Sequence, residues 1–118
     1  MIRAACFALA LLPAAAVAQE VVSQPGGDLR VLDKVTGQVA DVTIPTGGAE
    51  TVGLLLIQLN DCRVPADNPS GDAFAELTVT YRNDETPAFA GWMIASSPAL
   101  NAMDHPRYDV WVMRCTNA

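Results

Sequence analysis

The sequence predicts an all-β domain: a small β-sandwich or partly open barrel of about six to eight short strands, stapled by one disulfide. Three observations carry this. Short runs of strand-favouring residues are punctuated by Gly, Pro, Asn and Asp clusters at close spacing. One run, 73–82, alternates apolar and polar residues from Ala75 to Arg82. No heptad pattern, internal repeat or long helical periodicity competes with that reading.

Residues 29–33 and 38–44 flank Lys34-Val35-Thr36-Gly37 and read as a hairpin, Gly37 supplying a backbone conformation other residues avoid. The segment 45–48, with Pro45, Gly47 and Gly48, ends it. Residues 52–59 contain Leu54-Leu55-Leu56-Ile57, apolar at every position, which predicts a central strand covered on both faces. In 73–82, Ala75, Leu77, Val79 and Tyr81 alternate with Glu76, Thr78, Thr80 and Arg82, so one face is buried and the other wet. Residues 89–95 and 108–115 make two further strands, the last rich in Tyr108, Val110, Trp111 and Val112. Between them Ser97 can cap, Pro98 suits a first helical position, and Ala99 to Met103 form helix readily before Pro106 stops it. This predicts one short helical turn over 98–103.

The N-terminus is of another kind. Of the first 18 residues only Arg3 and Pro13 are not apolar, and Ala16-Val17-Ala18 places small residues where a signal peptidase reads. The run is too short and interrupted for a membrane span of about 20 residues. The expectation is a signal peptide over 1–18, cleaved after Ala18, then a flexible leader over 19–28 and a single β domain over 29–118. Cys6 lies too early in the run for lipid attachment, so no lipid anchor is expected. The processed chain has no integral membrane segment and is expected in the periplasm.

The whole chain has 7 Lys plus Arg against 13 Asp plus Glu. Removing Arg3 leaves six basic residues and a net charge of −7, which argues against nucleic acid and against an anionic membrane surface. Cys62 and Cys115 then remain, an even number in an exported chain, and a structural disulfide between them is expected. A redox pair usually comes as Cys-x-x-Cys, and a thiolate metal site needs more ligands.

Three constellations bear on chemistry. Ser96, Ser97, Asp104, His105 and Asp109 supply the residue types of a hydrolase triad, but no Gly-x-Ser-x-Gly elbow is present. No catalytic residue is assigned, and an enzyme is not expected. Asp67, Asn68 and Asp72, in a loop with Asp61 and Gly71, are weak candidates for oxygen ligands of Ca²⁺, although such residues also build ordinary turns. No cofactor is implied. The aromatic set Phe89, Trp92, Tyr108 and Trp111 in the last two strands is either core or an exposed platform. The candidate interaction surface therefore comprises Trp92, Ser96, Ser97, His105, Tyr108, Asp109 and Trp111.

The runs Phe89-Ala90-Gly91-Trp92-Met93-Ile94-Ala95-Ser96-Ser97-Pro98 and Asp104-His105-Pro106-Arg107-Tyr108-Asp109-Val110-Trp111, ending at Cys115, resemble a family of exported alphaproteobacterial proteins known as domain of unknown function 2155. Leu32-Asp33-Lys34-Val35-Thr36-Gly37-Gln38, Cys62-Arg63 and Asn68-Pro69-Ser70-Gly71-Asp72-Ala73 extend the resemblance over nearly the whole processed chain. It implies no activity, ligand or cofactor. The function expected is a non-enzymatic periplasmic accessory or protein-interaction module, with an unidentified periplasmic protein as partner. The alternative is a domain binding a small ligand or Ca²⁺, with a hydrolase third.

Overall fold

The computed structural model describes residues 19–117; the proposed signal peptide and its cleavage site lie outside the described residues. Eight strands form two antiparallel sheets: β1 (Val21–Ser23), β2 (Gly26–Asp33), β3 (Val39–Pro45), β4 (Ala49–Val52), β5 (Leu55–Pro65), β6 (Phe74–Tyr81), β7 (Phe89–Ile94) and β8 (Tyr108–Thr116). One sheet runs β1-β5-β6-β7, with β4 also paired to β5; the other runs β3-β2-β8. The sheets are open, a sandwich rather than a closed barrel. No helix of the described residues is long and apolar enough to cross a membrane.

The hairpin over 29–44 forms as the sequence indicates. Gly37 adopts φ 77° and donates its N–H to the Asp33 carbonyl, while Asp33 N–H reaches Gln38 O. Alternation in β6 is also realised: Ala75, Leu77 and Val79 are fully buried against Leu29, Val31, Ile57 and Leu59 from both sheets. No polar or charged residue is buried among the described residues, so the core is held by apolar burial and packing.

Four features differ from the sequence reading. Strand β5 is not covered on both faces: Leu55, Ile57 and Leu59 point inward, whereas Leu56, Gln58 and Asn60 are exposed and Leu54 lies in the turn before the strand. A two-layer sandwich covers each sheet once, so the leucine run still alternates. The segment 19–28 is not a leader throughout. β1 pairs Val21, Val22 and Ser23 with Pro65, Val64 and Arg63, and β2 begins at Gly26. The free edge of the long β5 offers backbone partners that two valines readily take. Strand β6 ends at Tyr81, leaving Arg82 in the turn.

The fourth is the segment from Pro98 to Met103, which is a hydrogen-bonded turn and not a helix, with Leu100 N–H on Ser97 O. Asn101 Nδ2 donates to Trp92 O at 2.7 Å and Met103 is buried in the core. These two anchors pull the chain along the side of the sandwich, and a helix nucleus is too costly to resist them over so few residues.

Candidate functional site

Alternation along β5, β6 and β7 turns Arg63, Phe74, Trp92 and Ile94 away from the core. Phe74 lies opposite both Arg63 and Ile94, and Glu76 opposite Trp92. With Val21 from β1 they line a shallow depression of about 250 Å³ on the outer face of the larger sheet. Arg63 lies over the Trp92 ring at 4.9 Å, and its Nε donates to Asp61 Oδ2 at 2.7 Å. Guanidinium, indole and carboxylate thereby fix one another, leaving a preorganised apolar surface with one cation at its margin.

At the nearby end of the sandwich, Asp72 holds the chain entering β6 against the chain leaving β7. Its carboxylate accepts from Ala73 N (2.8 Å), Ser96 N (3.0 Å) and Ser96 Oγ (2.6 Å). Burial raises its pKa, but the Ser96 hydroxyl and the two backbone donors outweigh that and hold the carboxyl below its usual range. Beside it opens a cleft of about 620 Å³, rimmed by Gln24, Ser70, Asp72, Ser96, Arg114 and Asn117. The weak calcium-ligand candidates are placed apart in their roles: Asp67 is exposed, the Asn68 carbonyl accepts Gly71 N–H in a turn, and Asp72 faces Ser96. Among the described residues no group of three His, Cys, Asp or Glu side chains is placed to hold a metal ion.

Covalent closure of this end comes from Cys62 and Cys115, which join the two sheets as a disulfide with Cα atoms 5.7 Å apart.

The opposite end gathers His105, Tyr108 and Asp109. Tyr108 is buried, and its hydroxyl accepts the Leu54 N–H at 3.1 Å. His105 Nδ1 accepts the backbone N–H of Arg107 (3.1 Å) and of Tyr108 (3.2 Å), which places its ring proton on Nε2. The imidazole lies 4.6 Å from the Tyr81 ring, centre to centre. Lys34 Nζ donates to His105 O and lies 3.6 Å from Asp109. Arg107 pairs with Asp33 at 3.0 Å. The Arg107 guanidinium holds the Asp33 carboxyl below the usual range against the opposing effect of burial.

The seven expected surface residues are thus divided among separate places. Trp92 faces out from the larger sheet, Trp111 is opposite Arg30 on the smaller one, Ser96 and Ser97 are at the disulfide end, and His105, Tyr108 and Asp109 are at the other. Tyr108 is an internal lock and not an exposed contact. Ser96 is bound to Asp72 and His105 to the backbone, so no serine–imidazole pair forms. The partners of Trp92, namely Val21, Arg63, Phe74 and Ile94, escaped the sequence reading. Phe74 was legible as the apolar exception on the wet side of β6, whereas Val21 required the pairing of β1.

A family model described as an uncharacterized protein conserved in bacteria (DUF2155) matches residues 27–115. The chain is also similar to an uncharacterized protein, RP359, of Rickettsia prowazekii (strain Madrid E), with 30% identity over 92 residues. That alignment covers 75% of this chain and 59% of the relative. No solved structure matches the chain.

Proposed function

The chain belongs to the bacterial family DUF2155, and from that premise we propose that it is a non-enzymatic periplasmic accessory module that binds a protein partner through the outer face of its larger sheet. The observation that carries this is the contiguous set Val21, Phe74, Trp92 and Ile94 with Arg63 stacked on the indole. Tryptophan and arginine are the residues most enriched at binding hot spots, and a partly exposed apolar cluster fixed by its neighbours loses little entropy on docking. The cysteine bridge supports export, because structural disulfides persist in oxidising compartments. Residues 1–18 supply the export signal, with cleavage after Ala18.

The test is in vivo cross-linking in the periplasm, comparing the wild type with Trp92→Ala at matched abundance. Loss of a hot-spot tryptophan costs about 2 kcal/mol, roughly a thirty-fold loss of affinity. At least one cross-linked protein should disappear while the thermal midpoint stays within a few degrees of wild type. An unchanged set of cross-links overturns this face as the docking surface.

A further inference from the structure

Among the described residues there are six basic side chains, and five are ion-paired to aspartates: Arg30 to Asp41, Lys34 to Asp109, Arg63 to Asp61, Arg107 to Asp33 and Arg114 to Asp28. Arg82 is the exception, in a chain whose acidic residues outnumber its basic ones about two to one. It is exposed, and its guanidinium lies 5.1 Å from the Tyr81 ring centre. That ring packs in turn on His105 and, at 6.0 Å, on Tyr108.

Its backbone is unusual as well. Arg82 has φ 53°, the only positive φ outside glycine among the described residues, and its N–H donates to Leu54 O at 2.9 Å. A left-handed conformation is costly for a residue with a side chain, and glycine would occupy it without strain. An arginine kept at such a position, unneutralised and stacked on a supported tyrosine, is a strained residue whose side chain points to a binding role.

We propose that Arg82 is an anchor for a carboxylate group of a binding partner or ligand. The planar fork of guanidinium donors matches a carboxylate, and stacking on Tyr81 orients the fork in advance. The five internal pairs show the same chemistry satisfied within the chain. Asp84 and Glu85 follow in the same loop, yet neither forms an ion pair with Arg82. The site lies apart from the Trp92 face and does not rest on it.

The experiment follows the backbone amide resonances of residues 81–85 by ¹⁵N NMR, which wild type and both variants share, on the processed protein during titration with succinate and separately with inorganic phosphate at equal ionic strength. The expected result is a saturable shift with succinate, much weaker with phosphate, reduced several-fold in Arg82→Lys and abolished in Arg82→Gly. Arg82→Gly should also keep or raise the thermal midpoint, because it relieves backbone strain. A clear fall in that midpoint would make Arg82 a structural prop on Tyr81 and overturn the proposal, as would an absent shift or one equal for phosphate. Periplasmic cross-linking of Arg82→Gly then separates the sources. Saturable succinate binding with a lost cross-link identifies a carboxylate carried by a protein, and saturable binding with unchanged cross-links identifies a free carboxylate ligand. Loss of cross-links in Trp92→Ala has no bearing on either outcome, so the two readings fail separately.

Discussion

The two ends of this sandwich are closed by different chemistry. At one end the Cys62–Cys115 bridge ties β5 to β8 covalently, and Asp72 clamps Ser96 alongside. At the other end nothing is covalent. The Tyr108 hydroxyl holds the β4–β5 turn at Leu54, Asp33 receives Arg107 and caps the following turn at Val35 N, and Lys34 reaches His105. One end is therefore sensitive to reductant, and the other to the fit and protonation of a few side chains.

Replacing both cysteines by alanine should produce the largest effect. The bridge spans 53 residues of sequence, and on the chain-entropy model its loss costs about 4 kcal/mol. Urea unfolding with and without reductant measures this; a loss below about 1 kcal/mol would mean that the covalent end contributes little more than the other. Gly53→Ala attacks the opposite end. An added Cβ would lie 2.6 Å from the Tyr108 hydroxyl oxygen, at a residue already held at φ 56°. The expected destabilisation is about 2 kcal/mol, and it should shrink in a Tyr108→Phe background, where the clashing oxygen is gone. Additive effects in that double-mutant cycle would show that the hydroxyl is not what the glycine accommodates.

The smallest effect is the response to acid. Because Asp33 ionises more readily in the folded chain, its stabilisation is complete above the unfolded value of about 4 and is lost as pH falls through the lower folded value. Asp33→Asn should therefore lower the urea midpoint at pH 7 and flatten the decline of that midpoint below pH of about 4. A mutant whose midpoint falls with acid as steeply as the wild type would remove Asp33 from the account of this end.

How far the sequence could be read depended on whether a signal was local. The period-two pattern of β6 and the Gly37 turn are set by neighbouring residues, and both are in place. The cysteine pairing followed from counting, since two were expected to remain after cleavage. Other features were not local. Trp92 and Trp111 look equivalent in sequence, each at an alternating position of a neighbouring strand, yet they face out from different sheets because β7 pairs with β6 and β8 with β2. Pro25, Gly26 and Gly27 suggest flexibility, but Gly27 sits where a Cβ would lie 3.1 Å from Cys62 Sγ, so close packing and not freedom selects it.

By itself the sequence determined an all-β domain, the places of most strands and the identity of the disulfide. These rest on side-chain alternation, turn chemistry and residue counts, all of which act over a few residues or none. Only the tertiary structure decided which strands share a sheet, that Tyr108 is a lock under Gly53, that Val21 joins Trp92, and that Arg82 alone of the six basic side chains among the described residues lacks an aspartate. Such juxtapositions join residues tens of positions apart. They are fixed by which sheet edges pair and which faces bury together, and a short-range pattern carries no record of that choice.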